Sequence, residues 1–125
     1  MKENELAHTV IGAAINVHRV LGPGLLENVY QQCLLKELEI RGIECLSEVP
    51  ITAEYKGLKF DVAYRMDILV ENILAVELKV TENLLPVHEA QLLSYLKLSD
   101  KRLGLLLNFN VPVMKSGVRR IVNNL

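Results

Sequence analysis

The chain predicts an α/β sandwich: a mixed, four-stranded sheet flanked by helices, in the order helix, helix, three strands, helix, strand. Three observations predict it. The first forty residues place apolar side chains at helical spacing, whereas residues 44–80 change to the alternation and continuous apolar runs of strands. Two short runs, Ile73–Val80 and Leu103–Phe109, are apolar enough for strands covered on both faces. A helical pattern separates those two runs, which is the crossover a parallel pair requires.

The first helix spans 4–20, with Ala7, Val10, Ile11, Ala14, Val17 and Leu21 recurring on one face. Gly22-Pro23-Gly24 ends it. A second runs from near Leu25 to about Arg41, turning Val29, Tyr30, Cys33, Leu34 and Leu38 inward, with Gly42 as its stop. Residues 44–55 then alternate as a strand with Ile51 and Ala53 on one face, and Pro50 marks an edge strand or its start. Lys56-Gly57 is a turn. Leu58–Val70 reads as one long or bent strand and Ile73–Val80 as the next, so the three strands form a meander. Pro86 suits the first turn of a third helix over 87–98, closed by Asp100-Lys101-Arg102. Leu103–Phe109 is the fourth strand. The tail holds Pro112, Gly117 and a Val118/Ile121/Val122 pattern that fits either element type.

With 125 residues, half of them hydrophobic, one domain over 1–125 builds a core of Leu, Val and Ile without disulfides. Cys33 and Cys45 read as small packing residues. No apolar run is long enough to span a membrane, and the acidic start Met1-Lys2-Glu3-Asn4-Glu5 is unlike a signal peptide. The reading is a soluble, cytoplasmic chain with no membrane partner. Net charge is -1, but its distribution is uneven. Residues 1–86 hold 8 basic against 13 acidic side chains, and residues 87–125 hold 6 against 2. That split fits an acidic metal site beside a phosphate-facing surface, but taken alone it favours ordinary solvated charge on helix and loop surfaces.

The most informative stretch is Ile73-Leu74-Ala75-Val76-Glu77-Leu78-Lys79-Val80. Glu77 and Lys79 are two apart and share one face, while Leu74, Val76, Leu78 and Val80 face the core. Burying such charges is costly unless they pair or meet a metal. The preceding strand carries Asp67 inside its own apolar run. If the hairpin loop is the three residues Glu71-Asn72-Ile73, Val70 pairs with Leu74, Asp67 lies opposite Glu77, and Arg65 opposite Lys79. A two-residue loop would put the acids on opposite faces. Two carboxylates opposed in this way repel unless a cation lies between them, and Mg²⁺ or Mn²⁺ suits hard oxygen donors. Spacing alone leaves a second reading open, a self-satisfied cluster of acids with Lys79 and Arg65.

Asp67 followed by Glu77-Leu78-Lys79 resembles the D…(D/E)-x-K signature of the PD-(D/E)XK nuclease superfamily. Gly24-Leu25-Leu26-Glu27-Asn28-Val29-Tyr30 is similar to the G-x-x-E-x-x-Y motif of the bacterial GxxExxY family, assigned to that superfamily. Val17-His18-Arg19-Val20-Leu21-Gly22-Pro23 before it, Gln91-Leu92-Leu93-Ser94-Tyr95-Leu96 after it and Gly104-Leu105-Leu106-Leu107-Asn108-Phe109 near the end extend the resemblance across the chain. It implies a restriction-endonuclease-like fold in which Asp67 and Glu77 hold Mg²⁺ or Mn²⁺ and Lys79 is the catalytic lysine. It also implies that Glu27 completes the metal site and that Gln91 is a further site element.

Gln91 and Tyr95 are four apart, and His88 lies three before Gln91, so one helix face carries a polar stripe. His88, Tyr95, Arg119 and Arg120 are the candidate substrate contacts. Each also has a plain reading: His88 as a first-turn residue, Tyr30 and Tyr95 as packing residues, Arg119-Arg120 as solvated surface. Glu27 suits a helix first turn whatever else it does. His8 and His18 lack a Cys or His partner at ligand spacing, and Gly22 and Gly24 read as turn glycines. The expected activity is metal-dependent hydrolysis of phosphodiester bonds in nucleic acid, DNA before RNA. The competing reading is a non-catalytic module of the same fold that binds nucleic acid or a protein partner, alone or as a homo-oligomer. Few aromatic residues and the slight negative charge favour that reading, and the intact Asp67/Glu77/Lys79 set favours the first.

Overall fold

The two apolar runs lie side by side at the centre of the sheet. In a computed structural model, which describes residues 2–125, they form β3 (Leu74–Lys79) and β4 (Leu103–Asn108) and pair in parallel, Leu74 with Leu103 through Lys79 with Asn108. Between them α3 (Pro86–Ser99) makes the crossover. On one side, β1 (Cys45–Tyr55) and β2 (Leu58–Val70) extend the sheet as an antiparallel meander, with β1 at the edge. On the other side a fifth strand, β5 (Val118–Val122), pairs antiparallel with β4 after a 3₁₀ turn at Met114–Gly117. The sheet order is β1-β2-β3-β4-β5.

The fifth strand is one more than the sequence predicts. Val118 and Ile121 are three apart, which looks helical, but Val118 packs on one side of the sheet and Ile121 on the other. The tail pattern that fits either element type is thus a strand, with its apolar residues divided between the two faces.

Two helices cover one face of the sheet: α1 (Lys2–Leu21) and α2 (Glu27–Ile40). Their buried side chains meet Ile68, Val70, Leu74, Val76, Leu78, Leu103, Leu105 and Leu107 in the main core. Val29 is the exception to the inward face predicted for α2, since it is exposed. Under α3 a smaller core gathers Leu92 and Leu96 against Ile51, Met66, Leu69, Ala75, Leu106 and Ile121. β3 and β4 therefore bury alternate residues in different cores, as a doubly covered strand does.

Local chemistry fixes the connections. Gly22 and Gly24 adopt positive φ, 69° and 99°, between α1 and α2. The Tyr30 hydroxyl fastens that loop, donating to the Gly22 carbonyl at 2.6 Å and accepting from the Leu25 amide at 3.1 Å, while its ring stacks on Phe109. His18 is a tie rather than a ligand, with Nε2 2.7 Å from the Val111 carbonyl. The β2 strand runs unbroken over 13 residues, the long strand the sequence predicts, and its ladder with β1 shifts register between Ile51 and Ala53 as at a bulge. No helix is long and apolar enough to cross a membrane among the described residues.

Candidate active site

The β2–β3 hairpin closes through Glu71, Asn72 and Ile73. Val70 pairs with Leu74, Leu69 with Ala75 and Ile68 with Val76, which is the register of the three-residue loop. Glu71 and Asn72 both take positive φ, and the Ile73 amide donates to the Val70 carbonyl at 2.9 Å.

The ladder stops at Ile68 and Val76, so Arg65 and Lys79 are not ladder partners. At the next position the carboxylates replace the backbone. The Asp67 amide donates to Glu77 Oε1 at 2.9 Å, and the Leu78 amide donates to Asp67 Oδ2 at 2.8 Å. The acids thus oppose one another as the register requires, each holding the other strand's backbone.

Asp67 is also where β2 changes face. Met66 belongs to the core under α3 and Ile68 to the core under α1 and α2, although residues two apart on a regular strand share a face. Opposite Asp67 in β1, Glu48 sits at φ 52°, and Cys45 and Ile51 likewise face different cores. Gln31 of α2 reaches this break, donating through Nε2 to Glu48 Oε2 at 3.0 Å and to the Asp67 carbonyl at 3.2 Å.

Glu77 is only 2 % exposed. Burial first, then the Asp67 charge, pushes its carboxyl up to about 7. Asp67 is pushed up to about 6, chiefly by burial, with the charges of Glu27 and Glu48 adding to the effect. Lys79 is half-buried and favours the ionised form of both acids, yet its ammonium makes no ion pair or hydrogen bond among the described residues. The self-satisfied cluster requires such a pair.

Two tyrosines complete the α3 side of the site. The Tyr64 hydroxyl donates to Glu77 Oε2, and its ring lies flat on Tyr95, with centroids 3.6 Å apart and planes within 10°. Burial, together with the Glu77 charge, pushes the Tyr64 phenol far up, so it stays protonated and remains a donor.

The other candidate residues are distributed unevenly. Glu27 stands exposed in the first turn of α2, close enough for its charge to act on Asp67. Gln91 is exposed on α3, one turn before Tyr95, and bonds to neither acid. His88 Nδ1 accepts from the Leu85 amide at 3.0 Å, so it caps α3. Arg119 and Arg120 lie on β5, separated from β3 by β4; Arg119 bonds to the Ser116 and Val118 carbonyls, and Arg120 to the Asn4 side chain. Sequence reasoning missed Tyr64, Gln31 and Glu48. Gln31, four residues after Glu27 on the same helix face, carried a legible signal. Tyr64 did not, because alternation assigns it to the face opposite Asp67 until the break at that residue is known.

No three His, Cys, Asp or Glu side chains converge into a ready-made metal cluster among the described residues. Asp67 and Glu77 nonetheless fit a hard divalent cation. Both are raised by burial and like charge, which a cation relieves, and Asp67 Oδ1 accepts no hydrogen bond among the described residues. A cation held there takes its remaining ligands from water, backbone or substrate.

A family model described as the PD-(D/E)XK nuclease superfamily matches residues 4–121. No curated protein and no solved structure matches the chain.

Proposed function

We propose, since the chain belongs to the PD-(D/E)XK nuclease superfamily, that it is a metal-dependent nuclease hydrolysing phosphodiester bonds, with DNA as its substrate before RNA. The observation that carries this reading is the opposition of Asp67 and Glu77 beside the ammonium of Lys79, which has no ion-pair or hydrogen-bond partner among the described residues.

Asp67 and Glu77 would hold Mg²⁺ or Mn²⁺, with Glu27 supplying further negative charge from α2. Bound there, the ion supplies Lewis acidity toward water and phosphate. Lys79 orients the attacking water and offers positive charge to the phosphate as charge builds on it. Gln91 and Tyr95 present the α3 side of the site to the substrate, with His88 at the start of that helix. Arg119 and Arg120 add basic surface on β5.

The test is calorimetric titration with Mn²⁺, followed by cleavage assays on single- and double-stranded oligonucleotides. Asp67→Ala and Glu77→Ala should each abolish binding. Lys79→Ala should lose cleavage while keeping Mn²⁺ affinity. Normal cleavage by Lys79→Ala would reject the role given to the lysine, and no Mn²⁺ binding by the unmodified protein would reject the metal site.

A further inference from the structure

We infer that Tyr64 is the positioning residue of this site, with Tyr95 acting through it; the inference rests on the metal-site reading above. Glu77 is held at both oxygens. Oε1 takes the Asp67 amide, a bond built into the strand, whereas Oε2 takes the Tyr64 hydroxyl, a bond that depends on one side chain. A carboxylate fixed at one oxygen still swings about its final bond, so the phenol selects the rotamer. Ligating carboxylates are commonly hydrogen-bonded in this way by a second residue that sets their orientation.

Tyr64 needs its own support, because it stands where β2 leaves the body of the sheet. Every residue from Tyr55 to Ala63 is exposed, so no buried core on that side fixes its ring. The support comes from α3, through the close, nearly parallel stack with Tyr95. Phe at position 95 preserves the ring–ring part of that contact and removes only the interaction between the two hydroxyls. At position 64 the hydroxyl is what matters, and Phe removes it. The two tyrosines are therefore predicted to differ in which part of the side chain counts most, the hydroxyl at 64 and the ring at 95.

The probe is Mn²⁺ itself, titrated calorimetrically into the full chain at neutral pH. Tyr64→Phe should weaken binding about tenfold or more, the usual cost of removing a group that orients a metal ligand. Tyr95→Ala should weaken it comparably, and Tyr95→Phe, which keeps the stacked ring, should weaken it less than Tyr95→Ala does. In a Tyr64→Phe background, Tyr95→Ala should cost nothing further. A thermal melt of each variant reports folding separately, and Tyr95→Phe supplies a folded control at the same position. Unchanged or tighter binding by Tyr64→Phe overturns the inference while leaving the metal site standing. Additive losses from the two positions overturn the claim that Tyr95 acts through Tyr64. If the unmodified protein binds no Mn²⁺, the metal-site reading falls and this inference falls with it.

Discussion

Neutralising Glu77 should stabilise the metal-free protein above pH 7. In the unfolded chain a glutamate ionises near 4.5; in the fold, burial and the facing Asp67 push it up to about 7. The native state therefore binds a proton that the unfolded state has released, and stability falls as pH rises between those values. The shift is about two and a half units, which at ~1.4 kcal/mol per unit amounts to about 3 kcal/mol lost by pH 8. Asp67, raised from 3.8 to about 6, moves stability in the same direction over a lower window. It is less buried and its contribution is correspondingly screened. The two protons leave as those of a coupled pair, so the loss is spread over the interval from pH 4 to pH 8. Urea denaturation in chelator across that interval measures it. Glu77→Gln should flatten most of the slope and make the protein about 2 to 3 kcal/mol more stable at pH 8. Its amide oxygen still accepts from Asp67, and its amide nitrogen can donate to Tyr64. Stability that is flat or rising from pH 5 to 8, or a Glu77→Gln variant less stable at pH 8, would refute this account.

Three further outcomes follow from the same geometry. Saturating Mn²⁺ should remove the pH slope near neutrality, because a cation stabilises the ionised pair; equal slopes with and without the ion would count against a shared site. Tyr30→Phe should cost about 1 to 3 kcal/mol in chemical denaturation by leaving the Gly22 carbonyl and the Leu25 amide unpaired, and a neutral result would mean that water replaces the hydroxyl. Gly117→Ala should cost about 3 kcal/mol, since a Cβ there would stand 2.0 Å from the Asn108 carbonyl oxygen, a backbone atom; a melting temperature within 1 °C of the parent, roughly 0.2 kcal/mol for a domain of this size, would show that the turn shifts freely.

Most of the fold was legible because its signals are local. The E-x-K strand, the glycine turn after α1 and the proline opening α3 each depend on neighbouring residues. The Asp67–Glu77 opposition was legible as well, since a register follows from loop length once both strands are recognised. What escaped depends on departures from regularity. The switch of face at Asp67 carries no compositional mark, and it alone brings Tyr64 to the acids. His88 shows a related ambiguity: the residue type suits substrate contact, but its partner is the Leu85 amide, and capping depends on backbone geometry. Arg119 and Arg120 are adjacent in sequence, yet a strand sends neighbours to opposite faces, so the pair is not one patch.

The turn at Glu71–Ile73 lies at the far end of β2 and β3 from the acids and touches none of the chemistry. It nevertheless acts as a reading frame. Asp67 is four residues back from its first residue and Glu77 four residues on from its last, so pairing Val70 with Leu74 sets the two acids opposite one another. Exchanging a side chain in the turn alters local strain; a turn that closed one residue earlier or later on this sequence would re-address every position downstream on the strand. The least chemically active part of the hairpin thus decides which residues meet at the active end.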